Sequence, residues 1–137
     1  MASRDLNDLL PGTRAKIEAW LAECPLVVKQ YVFITCTYRS QEEQDAEWAK
    51  GRTKPGPKVT WTRHSKHTER RAVDFALKMP NPWDVKVSID DDEIPDYTEV
   101  GRLAEKHGLQ WGIINKYGAH VDLCHLQDNE VYEVKAA

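Results

Sequence analysis

Residues 65–77 read SKHTERRAVDFAL, so a polar segment with one histidine leads directly into an apolar segment with one aspartate. The apolar half alternates with a period of two, which places Val73, Phe75 and Leu77 on one face of a β-strand. These side chains predict a strand with one face in the core. Asp74 falls on the other face, where an alanine on each side leaves room for another group to approach.

The position of Asp74 requires a partner, because aspartate is disfavoured in strands and is rarely buried unless it is paired or bound to a cation. His67 precedes it by seven residues, and residues 121–127 (VDLCHLQ) place Asp122 and His125 in a second strand-like run. Catalytic zinc sites combine three protein ligands with one open position. We therefore expect a Zn²⁺ site formed by His67, Asp74 and His125.

The motifs that carry these residues are Ser-x-His at 65–67, Ala-x-Asp at 72–74 and Asp-x-x-His at 122–125. In this order they resemble the zinc peptidases that cut peptidoglycan peptides, and more narrowly the phage L-alanyl-D-glutamate endopeptidases (endolysins). That group is related to the D-Ala-D-Ala carboxypeptidases and to hedgehog-like proteins. The order of several short motifs is more specific than any one of them.

Further matches extend the resemblance over most of the chain, roughly residues 32–127. They are Tyr-Arg-Ser at 38–40 with Gln44 after it, GRTKPGP at 51–57 and GLQWG at 108–112.

Two positions depart from the family pattern. Arg70 stands where a glycine is usual, so we expect the loop before Asp74 to turn differently. Leu123 and Cys124 replace the aromatic or proline residues that are common before the last histidine. We expect both departures to affect which substrate is preferred more than whether a metal is bound.

The resemblance implies zinc-dependent hydrolysis of a peptidoglycan stem-peptide bond, L-Ala–D-Glu, by a phage endolysin during lysis of the host cell. One alternative is a D-Ala-D-Ala carboxypeptidase. Another is a catalytically inactive, metal-bearing module that binds the cell wall, although an intact Asp122 and Arg39 count against it.

Hydrolysis also needs a base for the attacking water and a proton donor for the leaving amine. In the resembling family this role belongs to the acidic residue three positions before the last ligand, which is Asp122 here. Residues three apart in a regular strand face opposite sides, so Asp122 and His125 converge only if Asp122 lies in a turn or at a bulge. His120 is the alternative base.

Arg39 is the candidate for binding a substrate carboxylate or polarising the scissile carbonyl, because the guanidinium fork matches carboxylates and keeps its charge. Its family counterpart lies in the same Tyr-Arg-Ser setting. We expect Ser65 to hydrogen-bond the substrate or a metal ligand. Gln44 is assigned to the substrate site as well, with support of Arg39 as its more direct role.

Composition limits the other function classes. The 137 residues, 41% of them apolar, predict a single domain over 1–137, and the resemblance implies that it is a zinc peptidase catalytic domain. A net charge of −3 argues against a general nucleic-acid binder. The three cysteines are odd in number and show no CxxC spacing, which favours free, mostly buried thiols. We expect a monomer.

No apolar run reaches membrane-spanning length, and the first residues do not have the pattern of a signal peptide. We therefore expect synthesis in the host cytoplasm, no stable membrane association and action on the stem peptides of the periplasmic wall. A phage enzyme of this kind needs a holin-type partner to reach that wall.

The expected fold is α+β, with a small, mostly antiparallel sheet that carries helices on one face and zinc on the other. Helices are predicted at 13–24, from a Ser40 cap to Gly51, and from Asp96 to Gly108. Strands are predicted at 32–38, 72–77, 109–111, 120–127 and 131–134, and an acidic loop at 88–93.

The protein purified without added metal should contain about one zinc per chain, as elemental analysis would show. His67→Ala should lose the metal and the activity together. His107, at a helix C-terminus where positive charge is favourable, serves as the control, and His107→Ala should change only stability, modestly. A zinc content near zero that reconstitution does not raise would contradict the site.

Overall fold

A computed structural model describes residues 2–60, 62–77, 95–114, 117 and 120–130, with the backbone alone at 113–114 and 120–121. Within these ranges the chain forms four α-helices and four strands, after a short 3₁₀ turn at Leu6–Asp8. The helices are α1 (Pro11–Glu23), α2 (Leu26–Lys29), α3 (Gln41–Ala49) and α4 (Asp96–Lys106). The strands are β1 (Val32–Cys36), β2 (Ala72–Leu77), β3 (Gln110–Ile114) and β4 (His120–Gln127).

The four strands form one sheet in the order β1-β2-β4-β3, and every neighbouring pair is antiparallel. The last described strand therefore lies inside the sheet, between β2 and β3. This architecture confirms the α+β prediction.

The core lies on the face of the sheet that α1 and α4 cover. Val73, Phe75 and Leu77 are all fully buried there, as their alternation predicts. Trp20 of α1 meets Phe75 edge-on at 5.2 Å between ring centroids, and its indole nitrogen donates a hydrogen bond to the Val100 carbonyl at 2.8 Å. The alternation of β2 thus places Asp74 on the face away from these helices.

The helix ends follow local rules with some differences from the prediction. Ser40 and Glu43 form the predicted capping box of α3. However, α1 begins at Pro11 instead of residue 13, because proline is compatible with the first helical turn. Helix α4 begins at Asp96 as predicted, with Pro95 as its N-cap, and ends at Lys106. The predicted strand at 131–134 and acidic loop at 88–93 lie outside the described residues.

A buried carboxylate ties α1 to the end of β4. Asp128 is fully buried and accepts hydrogen bonds from the Thr13 hydroxyl and the Lys16 ammonium, both at 2.8 Å. Its backbone N–H donates to the Arg71 carbonyl just before β2. This network fixes the segment that follows His125.

Among the described helices, none is both long and apolar enough to cross a bilayer.

Gly101→Ala should destabilise the fold, although alanine normally favours a helix by about 1 kcal/mol over glycine. A Cβ at Gly101 would lie 2.1 Å from the ring of Trp111, and that ring is held by its hydrogen bond to the Leu123 carbonyl at 3.0 Å. We expect a loss of roughly 1–3 kcal/mol in the free energy of unfolding, measured in denaturant. The exposed neighbour Arg102→Ala is the control, and a stabilised Gly101→Ala protein would contradict the packing.

Candidate metal centre and active-site cleft

Three strands place a row of donor side chains across the face of the sheet away from the core. Cys36 of β1 pairs with Asp74 of β2, and Asp74 pairs with His125 of β4. Directly opposed residues in antiparallel strands project from the same face. The register therefore brings these side chains together although they lie far apart in the sequence.

The loop before β2 adds His67, which is 3% exposed. The Ser65 hydroxyl accepts a hydrogen bond from the His67 backbone N–H at 3.1 Å. Arg70 adopts a φ of 63°, the left-handed conformation that glycine favours, so an arginine here takes a backbone conformation that a glycine adopts easily. Its guanidinium lies 3.9 Å from the Tyr38 ring centroid and holds the loop.

The three predicted metal ligands meet at one carboxylate oxygen. Asp74 Oδ1 lies 3.1 Å from His67 Nε2 and 2.9 Å from His125 Nδ1. The two imidazole rings stand edge to face, with centroids 5.2 Å apart. Both imidazoles thus contact the same carboxylate oxygen, and the three residues are those that the sequence predicts as metal ligands.

The hydrogen bonds of the His67 ring indicate that this set fits a metal ion. The Nδ1 atom lies 2.9 Å from the Thr37 carbonyl, which can only accept, so Nδ1 carries the proton. The Nε2 atom then presents its lone pair to the site; it is buried and makes no well-formed hydrogen bond among the described residues. Backbone carbonyls orient metal-binding histidines in this way.

Without a metal, a proton takes the place of the cation. Burial alone lowers the pKa of His67, but its contacts with Asp74 and Cys36 outweigh burial and raise the pKa to about 10. Burial likewise acts to raise the pKa of Asp74, yet its close contacts with the His125 and His67 rings hold that pKa well below its usual range. The cluster of His67, Asp74 and His125 therefore favours a positive charge between its two imidazole rings.

Sequence reasoning missed Cys36 as a neighbour of this centre. It is a buried, free thiol, as expected, but its Sγ lies 3.6 Å from His67 Nδ1. Among the described residues, the donor atoms that all lie within 4.8 Å of one another are those of Cys36, His67 and Asp74, and this group does not include His125. The only sequence signal for Cys36 was its place at the end of a strand, and the register with β2 could not be read from it.

The donors lie in a cleft of about 800 Å³. Six of the residues that line it are Arg39, Ser65, His67, Asp74, Asp122 and His125. The cleft thus unites the predicted ligands with most of the other predicted site residues.

Gln44 is fully buried behind Arg39 and is absent from the cleft wall. Its Oε1 accepts a hydrogen bond from Arg39 Nη1 at 2.7 Å, and its Nε2 donates to the Thr62 carbonyl at 2.7 Å. The structure therefore places Gln44 in the supporting role and not at a substrate surface. Arg39 is held so that it faces the cleft.

Asp122 shows how a residue three before His125 reaches the same cleft. Its φ is 56°, and the β3–β4 register is irregular between Val121 and Leu126, so the required bulge is present. Asp122 stays accessible to solvent at the cleft wall, and partial desolvation by neighbouring groups raises the pKa of its carboxyl against the opposing effect of His125. The side chain of the alternative base, His120, lies outside the described residues.

His107 lies at the C-terminus of α4, where its Nε2 contacts a Glu23 carboxylate oxygen. Lys106 binds the other oxygen of Glu23 at 2.7 Å. These contacts fit the structural role predicted for His107.

Gln44→Ala should weaken the fold by roughly 1–3 kcal/mol, because it leaves the Thr62 carbonyl and Arg39 without a partner they have in the native protein. Metal content should stay at the wild-type level, since Gln44 does not reach the donors. Denaturant unfolding and elemental analysis measure the two effects. Gln41→Ala removes an exposed amide from the same helix and should cost much less; equal losses would argue against a special role for Gln44.

A curated relative and a solved structure resemble this chain. The peptidoglycan L-alanyl-D-glutamate endopeptidase CwlK of Bacillus subtilis is 37% identical over 86 residues, which are 59% of this chain and 52% of CwlK. The chain therefore spans about half the length of this relative. The crystal structure of the Serratia marcescens L-Ala D-Glu endopeptidase ChiX matches with a TM-score of 0.58 and 15% identity, covering 94% of this chain and 89% of ChiX. At that identity the match shows the fold alone.

A family model described as D-alanyl-D-alanine carboxypeptidase, within peptidase family M15, matches residues 58–128. This range is more than half of the chain and includes His67, Asp74, Asp122 and His125. The chain therefore belongs to the M15 peptidase family.

Proposed function

We propose that this chain is a zinc-dependent peptidoglycan endopeptidase that hydrolyses the L-Ala–D-Glu bond of the stem peptide. The observation that carries the proposal is the convergence of His67 and His125 on Asp74 in a cleft that also exposes Asp122 and Arg39. This cleft combines a metal donor set with an acid–base group and a fixed cation. A peptidase needs all three.

His67 Nε2, Asp74 Oδ1 and His125 Nδ1 would hold the zinc ion, because zinc takes nitrogen and carboxylate donors in this combination. When bound, zinc supplies Lewis-acid activation of water and of the scissile carbonyl. Cys36 lies on the Nδ1 side of His67, where the Thr37 carbonyl already binds. We therefore assign Cys36 to the surroundings of the ligand set.

Asp122 acts as the general base and then as the general acid. Its carboxylate takes the proton of the attacking water, and the carboxylic acid so formed gives that proton to the amine of the leaving D-Glu. A carboxyl whose pKa is raised by burial is better suited to hold the proton between these steps. The bulge at Asp122 keeps the group at the cleft.

Arg39 binds the carboxylate that D-Glu carries beside the scissile amide. Gln44 holds one guanidinium nitrogen at 2.7 Å and so limits the rotamers of Arg39 before substrate arrives. A preorganised guanidinium pays less entropy on binding and matches the planar carboxylate. Ser65 supports the site by holding the His67 backbone.

The choice of bond draws on the relatives, since CwlK and ChiX are both named as endopeptidases for L-Ala and D-Glu. The description of the family model favours a second candidate, a D-Ala-D-Ala carboxypeptidase. Digestion of purified peptidoglycan and mass spectrometry separate them. New L-Ala C-termini with D-Glu N-termini support the proposal, whereas release of single D-Ala supports the second candidate, and binding without any product supports an inactive wall-binding module.

In the cell, we propose that residues 1–137 work as one monomeric catalytic domain of a phage endolysin. The protein would accumulate in the host cytoplasm before lysis and reach the cell wall through a holin-type pore. Expression in a bacterial host with and without a holin tests this role. Lysis that depends on the pore supports it, and equal lysis without the pore contradicts it.

Asp122→Asn should reduce turnover by roughly 10²–10⁴ because it removes the proton-transfer group while it keeps the size of the side chain. Zinc content should be unchanged, because Asp122 is not a ligand. Elemental analysis and the rate of muropeptide release measure both quantities.

Arg39→Lys is the matched companion, since it keeps a charge but loses the planar fork, and it should lower chiefly kcat/KM with zinc retained. Nearly full activity of Asp122→Asn, with activity lost in His120→Ala at full zinc content, would assign the base to His120. Full activity in both Asp122→Asn and Arg39→Lys would rule out the mechanism.

A further inference from the structure

A chain of side-chain amides begins at His125, and its first member, Gln127, also lines the cleft. His125 Nε2 lies 3.0 Å from Gln127 Oε1, and Gln127 Nε2 donates to Asn129 Oδ1 at 2.7 Å. Asn129 Nδ2 then donates to Gln110 Oε1 at 2.8 Å, and Gln110 Nε2 donates to the Gly112 carbonyl at 2.9 Å. Four consecutive hydrogen bonds thus connect a proposed metal ligand to the backbone of β3.

The last contact fixes the direction of the whole chain. A backbone carbonyl only accepts, so Gln110 must turn its NH₂ group toward Gly112 and its oxygen toward Asn129. The same reasoning orients Asn129 and then Gln127, which presents its oxygen to His125. The Nε2 atom of His125 therefore donates a hydrogen bond to Gln127, which leaves Nδ1, 2.9 Å from Asp74 Oδ1, as the nitrogen that is free of a proton when a metal binds.

A glycine at the strand irregularity supplies this terminal carbonyl. Gly112 has a φ of 64° and lies where the β3–β4 register shifts between Trp111 and Ile113. Left-handed φ at this position favours glycine over residues with a side chain. The same irregularity therefore affects two groups. On β4 it includes Asp122, and on β3 it includes Gly112, whose carbonyl accepts the last hydrogen bond of the amide chain.

We infer that Gln127, Asn129 and Gln110 are positioning residues that hold His125 as the Nε2–H tautomer and so direct Nδ1 toward the metal. The inference rests on the metal site of the proposed function. Together with the Thr37 carbonyl on His67, the chain provides an orienting partner for each of the two histidines. A metal ion then has to displace only the proton held between the rings, and neither ring has to change its tautomer.

Zinc affinity of the full chain, measured by competition with a chromophoric chelator, tests the role. Gln127→Met keeps the approximate size but removes the acceptor, so its zinc Kd should rise roughly 10–100-fold, as for other outer partners of metal ligands. Gln127→Glu restores an acceptor oxygen and should bring the Kd back to or below the wild-type value. Asn129→Ala breaks the next link and should give a smaller rise.

Gln30→Met is the matched control, because Gln30 donates only to the Val27 carbonyl on an exposed surface. Its Kd should equal that of the wild type. Long-range ¹H–¹⁵N NMR of the zinc-loaded protein should show the His125 proton on Nε2 and the metal on Nδ1. Metal on Nε2, or a Gln127→Met Kd within about twofold of the wild type, would overturn the inference.

The two proposals fail in distinguishable ways. A wild-type protein that binds zinc with the expected tautomer but leaves peptidoglycan uncut would contradict the endopeptidase function alone. A wild-type protein that binds no zinc would contradict both. Cleavage by the wild type, with Gln127→Met unchanged in Kd, would contradict only the positioning role.

Discussion

The contact of two imidazoles with one carboxylate oxygen of Asp74 is the constraint on which the site depends. Neutral nitrogens with lone pairs directed at a carboxylate repel it unless a cation lies between them. The fold tolerates this group because β2 is paired on both sides and because Phe75, on its opposite face, is packed against Trp20 of α1. The stability of the sheet therefore holds in place a polar cluster that would not hold itself together.

Much of this arrangement could be predicted from the sequence, because local patterns determine it. The alternation around Asp74 identifies the core face of β2, and the capping box at Ser40 identifies the start of α3. Polar residues on the exposed face of such a strand, with histidines in other segments, then predict the donor set. The family match over residues 58–128 agrees with that order of motifs.

The rest depends on register and backbone conformation, which the sequence does not display. Cys36 lies beside His67 only because β1 pairs with β2 in one register out of several. Asp122 reaches the cleft through a left-handed backbone that an aspartate seldom adopts. Gln110 and Gln127 come together because their strands pair there, and in the sequence they are two unremarkable polar residues.

The strand order has a consequence for how the protein becomes active. The strand that carries His125 is the last of the described strands along the chain, yet it lies inside the sheet between β2 and β3. During synthesis the N-terminal portion emerges first, and the proposed ligand set stays incomplete until β4 pairs with β2. A nascent or truncated chain that ends before β4 would lack His125 and leave the edge of β2 unpaired. The proposed ligand set is therefore assembled only when the central strand of the sheet is in place.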